Sequence, residues 1–260
     1  MHPRLCLLFS LLFPLLFWAT PALRADDGGH TACNELVLEA IRTMPSGGGY
    51  SAGNFATHAM ERSVGTGNGT LNVQAAQAMP SYCSEATYLV FLKVISALQL
   101  QGSSYVTPDL LSALRPTGQP DGTGLWGRWN ANGPGTARLF YELGLGINFT
   151  ELNQALPGDF LKIFWNDAIG ALEHGHSVIY LGTEDHGGIP FLSYWSSNIP
   201  GGYGKKSVPL SRIHRMLFSR LEHPSNLARA NTLPHSDHYL ASLQTHSSTP
   251  AEMASFCGLR

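Results

Sequence analysis

Apolar and polar positions alternate in blocks along the chain. Residues 31–44, TACNELVLEAIRTM, put Leu36, Ala40 and Ile41 on one side at helical spacing, which predicts a short amphipathic helix. PSGGGYSAGN is a loop by composition, and residues 54–63 read as a second short helix. VGTGNGTLN is a further turn-rich loop, and LNVQAAQAM reads as a helical approach to SYCSEATYLVFLKVI. Residues 82–100 give the clearest helix. Pro80 precedes it, and Ser81 suits the N-cap, which puts Cys83 in the first turn. Its polar residues Thr87, Lys93, Ser96 and Gln99 do not gather on one stripe. A helix apolar nearly all round is normally buried, so this one is expected at the centre of the domain.

Residues 102–135 are rich in Gly, Pro and Asn. Within them GLWGRWNANGPG reads as a surface loop with Trp126 and Trp129 tucked down, or as an aromatic cleft wall. TARLFYELG returns to helical spacing. PGDFLKIFW, HSVIYLG and IPFLSYWS then read as strands, and TEDHGGIP joins the last two as an antiparallel hairpin. KKSVPLSRIHRMLFSRLEHP is expected as a strand end or turn followed by a helix that carries Arg212, Arg215 and Arg220 outward. Residues 224–256 read as irregular, and no internal repeat is visible. Helices and an antiparallel sheet in one chain make the fold class α+β.

The first 25 residues have a different pattern. Arg4, the apolar run LCLLFSLLFPLLFWA and a small-residue exit at Thr20 to Ala25 make a secretory signal, with cleavage expected after Ala25 and Ala22 as the rival. Pro14 interrupts the run, which argues against a permanent anchor. Cys6 leaves with this segment. Nothing after residue 25 reads as long and apolar enough to cross a bilayer. The protein is expected to be exported, periplasmic or secreted, with residues 26–260 forming one domain and acting as a monomer.

Charge removes one class of partner. Only 13% of residues are charged and the formal net charge is −2, with no basic stripe for nucleic acid. Cysteine count adds a positive clue. Cys33, Cys83 and Cys257 remain after the signal, an odd number in a compartment that favours disulfides. Chain ends often lie close together, so a Cys33–Cys257 disulfide is expected, leaving Cys83 as a free thiol. A thiol at a helix N-terminus faces the positive end of the dipole, which favours the reactive thiolate. A nucleophilic cysteine also needs a base, usually a histidine oriented by a third group. Among eleven histidines, His176 stands apart, since it opens the strand HSVIYLG directly after a glycine.

Three pieces in order, Cys83-Ser84, Gly158-Asp159-Phe160 through Trp165, and His176 through Gly182, resemble the NlpC-type papain-like cysteine peptidases and amidases. The resemblance covers about residues 80–200. It implies a central helix packed on an antiparallel sheet, with Cys83 as nucleophile and His176 as general base and then acid. It also implies hydrolysis of amide bonds in bacterial cell-wall peptides, with no cofactor and no metal. The third catalytic group comes from the next strand in this family. FLSYWSSN offers Ser193, Ser196 and Asn198, and an amide able to accept from the imidazole favours Asn198. The backbone N–H of Cys83 is available to an oxyanion hole. The chain departs from the family pattern at Tyr82, where an Asp is usual. It has only a loose echo, GGGYS at 47–51, of the upstream Tyr-x-Gly-Gly. The long spacing from Cys83 to Gly158 marks 102–135 as an insertion.

Two other readings compete. His174, His176, Asp185, His186, His235, Asp237 and His238 offer ligands to a metal hydrolase, although none of their spacings is a zinc motif. The paired tryptophans and Gly-rich loops would also suit a non-catalytic exported module that binds glycan or peptide. Asn68-Gly-Thr and Asn148-Phe-Thr are glycosylation acceptors only in a eukaryotic host.

Overall fold

A computed structural model describes residues 29–259; the signal expected at residues 1–25 lies outside the described residues. Helix α1 (Gly29–Arg42) buries Cys33, Val37 and Ala40 along one face. Strand β1 (Gly47–Gly48) and helix α2 (Asn54–Ser63) follow. LNVQAAQAM is not helical. It holds strand β3 (Asn72–Val73), paired with β2 (Val64–Gly65), and one 3₁₀ turn. The cause is tertiary: Leu71 N–H donates to Gln99 Oε1 at 2.9 Å, and Ser96 Oγ donates to Leu71 O at 2.7 Å. Two of the polar residues on the central helix therefore hold this segment extended.

The central helix, α3 (Cys83–Leu100), buries Ser84 through Leu92 and then Val94 and Ile95. By length and composition it would pass as a bilayer span, contrary to the sequence expectation. Its apolar surface is covered instead by the rest of the fold. Part of that cover, beside α1 and the strands, comes from residues 102–135, which form helices rather than a surface loop. These are α4 (Pro108–Leu114) and α5 (Gly124–Asn130), with α6 (Gly135–Leu143) beginning at the segment's end. Trp126 and Trp129 are buried core residues and form no cleft wall. Trp129 lies 4.9 Å from Phe91 and 5.1 Å from Phe160, ring centre to ring centre, and its indole N–H donates to Thr87 Oγ1 at 3.1 Å. Thr87 is thus the polar contact a buried indole requires.

Strands β4 (Gly146–Phe149), β5 (Phe160–Phe164), β6 (Gly175–Asp185), β7 (Pro190–Asn198), β8 (Gly202–Pro209) and β9 (Arg215–Leu221) follow. Among the described residues they and β1 form an antiparallel seven-stranded sheet in the order β1-β8-β7-β6-β5-β9-β4. Period-two alternation sends Phe160, Ile179 and Trp195 into the core around α3. The alternate positions Leu161, Val178, Tyr180 and Tyr194 fill a second cluster. The fold class is α+β.

Two further expectations are corrected. MLFSRL is strand β9, not a helix, and lies between β4 and β5. A short apolar run does not reveal its period, and here both sides are covered. Arg220 accordingly points inward. Its guanidinium makes a two-pronged contact with buried Asp159 at 2.9 and 2.8 Å. Residues 224–256 are also ordered: a 3₁₀ run (Pro224–Thr232), then α7 (His238–Ser242) and α8 (Pro250–Cys257), the helices capped by Asp237 and Thr249.

The expected Cys33–Cys257 disulfide is absent, and Cys33, Cys83 and Cys257 are all free. Cys33 packs in the main core, while Cys257 packs with Phe164, Ile169 and Met253 in a separate cluster. Burial pushes their thiols up to about 11 and about 12 respectively, so both are small apolar core residues held in the neutral form.

Candidate active site

Cys83 is the first residue of α3, and it is partly exposed where Cys33 and Cys257 are buried. The N-cap is Tyr82, not Ser81 as expected; Tyr82 is extended at φ −119° and ψ 176°. Its backbone N–H donates to Glu85 Oε2 at 3.2 Å. Ser81 is committed elsewhere. It bridges to Tyr50, and its carbonyl accepts from Ser51 N at 3.1 Å and from Ser197 Oγ at 2.8 Å. These bonds bring the GGGYS segment against the start of α3 and set Tyr50 beside Cys83, close enough for the two groups to influence each other's ionisation.

His176 is the second residue of β6. The glycine before it has a steric reason: a Cβ at Gly175 would stand 2.6 Å from Lys162 Nζ and 2.8 Å from Glu173 Oε1. Those two atoms form an ion pair of 2.6 Å, and Glu173 Oε2 also accepts from Gly133 N and Gly170 N at 2.6 and 2.8 Å. Lys162 faces the site from β5, where it is in register with Ser177.

Strand register settles which residue faces the imidazole. His176 Nε2 lies 3.2 Å from Asn198 Oδ1. The amide nitrogen of Asn198 is committed to Ser196 O at 3.1 Å and Gly204 O at 2.8 Å. Its oxygen is therefore the acceptor, Nε2 carries the proton, and Nδ1 is left for the thiol. Ser196 Oγ donates to Ser177 O at 2.7 Å, and Ser193 Oγ accepts from Ser207 Oγ at 3.3 Å, so neither serine faces His176. Tyr194 meets His176 edge-on, with ring centres 5.5 Å apart.

The electrostatics favour thiolate. Burial pushes the Cys83 thiol up. A hydrogen bond with His176, the imidazolium charge, a backbone hydrogen bond at Ser177 and the charge of Lys162 outweigh it, and the thiol falls from 9.0 to about 6. Glu85, two residues further along α3, is fully buried, and its Oε1 has no hydrogen-bond partner among the described residues. Burial pushes this carboxyl up to about 8, so it is neutral at pH 7 and adds no charge against the thiolate.

The structure therefore brings together Cys83, His176 and Asn198. Sequence reasoning missed Tyr50, Lys162 and Glu85 as members of the site. For Tyr50 the signal was the loose GGGYS echo; for Lys162 it was the polar third position of a strand paired to the histidine strand. The Gly158-Asp159 pair lines neither cavity beside the Cys83–His176 pair and has a structural role. Asp159 clamps Arg220 and accepts Asn34 Nδ2–H at 2.9 Å, which ties α1 to β9.

Comparison of the chain with protein-family models, with curated proteins and with solved structures found no match. Among the described residues, no three His, Cys, Asp or Glu side chains gather as a metal site. Two of the candidates for that reading are engaged elsewhere. Asp237 pairs with Arg138 at 2.8 Å and caps α7, and His186 lies 3.2 Å from Glu184.

Proposed function

We propose that the protein is an exported cysteine amidase or endopeptidase of the NlpC type, acting on amide bonds of bacterial peptidoglycan peptides. The observation that carries the reading is the line Cys83–His176–Asn198 at the start of a buried helix. It has an amide oxygen fixed toward Nε2 and a thiol lowered to about 6. Further support is the order of the motif pieces and the antiparallel sheet packed on α3.

In this mechanism the Cys83 thiolate attacks the substrate carbonyl carbon. The new oxyanion faces the Cys83 backbone N–H, which has no acceptor within the helix, and the Tyr50 hydroxyl. Imidazolium His176 gives its Nδ1 proton to the leaving nitrogen as the C–N bond breaks, leaving a thioester. Water then attacks the thioester; Nδ1 takes the water proton, the C–S bond breaks, and thiolate and a carboxylic acid result. Asn198 accepts from Nε2–H throughout and keeps the ring aligned.

Iodoacetamide treatment with mapping of the modified residue, alongside digestion of purified peptidoglycan with and without EDTA, tests the proposal. Selective labelling of Cys83 with parallel loss of amide cleavage is expected. Loss with EDTA alone moves the chemistry to a metal. Retained peptidoglycan binding without digestion makes the protein a binding module.

A further inference from the structure

Two cavities flank the Cys83–His176 pair, one lined by His176 and the other by Cys83 with Gly175 common to both, and they carry opposite charge. The one on the imidazole side measures about 460 Å³ and is walled by Tyr50, Trp165, Tyr194 and Ile199. The fixed charges lining it are Lys206 and Arg212, with no carboxylate opposite. Neither side chain has a hydrogen bond or ion pair among the described residues. Lys206 stands opposite Tyr194 in the β7–β8 register, and Tyr194 is the ring set edge-on against His176. Lys206 is thus carried to the imidazole side by the sheet itself, and Arg212 by the 3₁₀ turn (Leu210–Arg212) that follows β8.

The cavity on the thiol side, about 280 Å³, is lined by Cys83, Asp121, Lys162 and Glu173 among others. Lys162 and Glu173 neutralise one another at 2.6 Å. Asp121 remains as the net charge, with Oδ2 accepting from Asn132 N at 3.3 Å.

The direction of proton transfer assigns the two halves of a substrate. His176 must reach the leaving nitrogen, so the leaving amine occupies the imidazole side and the acyl half the thiol side. Resting on the amidase reading above, we infer that the Lys206–Arg212 cavity is the leaving-group subsite, and that it selects an amine bearing a free carboxylate. When the C–N bond breaks and nitrogen takes the His176 proton, the product released there is an amino acid or peptide segment with its carboxylate against Lys206 and Arg212. The aromatic walls cover its carbon skeleton. A cationic leaving group is disfavoured by the same two charges.

A matched pair of reagents tests this without knowledge of the scissile bond: N-iodoacetyl-alanine and N-iodoacetyl-alaninamide. Each is alkylated onto Cys83 with displacement of iodide, and they differ only in the carboxylate. The labelling rate of the anionic reagent relative to the neutral one is read in wild type and in Lys206→Ala/Arg212→Ala. That ratio is expected to fall by about fivefold or more in the double variant, the scale of exposed charge pairs. The rate with the neutral reagent reports that the site is still folded. Lys206→Ala/Arg212→Glu, which makes the subsite net negative, is expected to lower the ratio further. A ratio unchanged by all these substitutions overturns the subsite while leaving the amidase reading in place. A Cys83 that reacts with neither reagent faster than an ordinary thiol overturns the amidase reading itself.

Discussion

At the scale of single residues, Cys83 is held between burial, which favours the thiol, and His176 with Lys162, which favour the thiolate. The second group wins, and the pH consequence has a definite sign. Below about 6 the group is protonated and slow; above it the thiolate is present. Alkylation of Cys83 by iodoacetamide is therefore expected to rise through a midpoint near pH 6, well below the ordinary value of 9.0. His176→Ala removes the largest opposing contribution while burial stays, so the midpoint moves up toward 9.0 or beyond. Asn198→Ala frees the imidazole to rotate and is expected to lower kcat/KM on the order of 10²-fold, the cost of a misplaced catalytic group. Substrate turnover by the purified variant measures it. Cys83, His176 and Asn198 were legible in the sequence because a helix start, a strand head and an amide on the next strand are local features. Tyr50 and Lys162 were not. The first reaches the thiol through its bridge to Ser81, and the second through register with Ser177.

At the scale of elements, α3 was readable because its buried length is apolar on every side. The strands β5, β6 and β7 were readable because each alternates or runs apolar with β-branched and aromatic residues. β9 was misread because MLFSRL is too short to display its period, and the inward Arg220 looked like a surface charge. Its partner makes a sharp test. Asp159→Asn removes the charge from a buried pair and leaves the guanidinium without its counter-ion, which is expected to cost roughly 3–5 kcal/mol in urea unfolding. Loss of less than a surface substitution would mean that α1 and β9 are not joined through this pair. Glu85 makes a second. Its carboxyl binds a proton up to about pH 8 in the folded chain, against 4.5 when exposed. The folded state thus holds more protons than the unfolded state between those values, and this group makes stability decline as pH rises through that window. Glu85→Gln keeps an oxygen for Tyr82 N–H and removes the titration. Its unfolding midpoint is expected to gain on wild type from pH 5 to pH 8; a constant difference would contradict the buried neutral acid.

At the scale of the whole molecule, the α+β class was legible, while the way its ends are secured was not. Cysteine count suggested a disulfide closing the chain. The helical cap motifs at Asp237 and Thr249 and the buried Cys257 secure the C-terminal segment instead. The Gly- and Pro-rich composition of residues 102–135 likewise concealed α4 and α5, whose tryptophans complete the core over α3. That packing fixes the helix whose first residue is Cys83, and the sheet order fixes His176 and Asn198 beside it. The most direct test of amide hydrolysis by this thiol is mass spectrometry of purified peptidoglycan after incubation with wild type or Cys83→Ala. Wild type is expected to release stem-peptide fragments with one new amine and one new carboxyl per cut, and Cys83→Ala none; equal release by both proteins, or none by wild type, would contradict it.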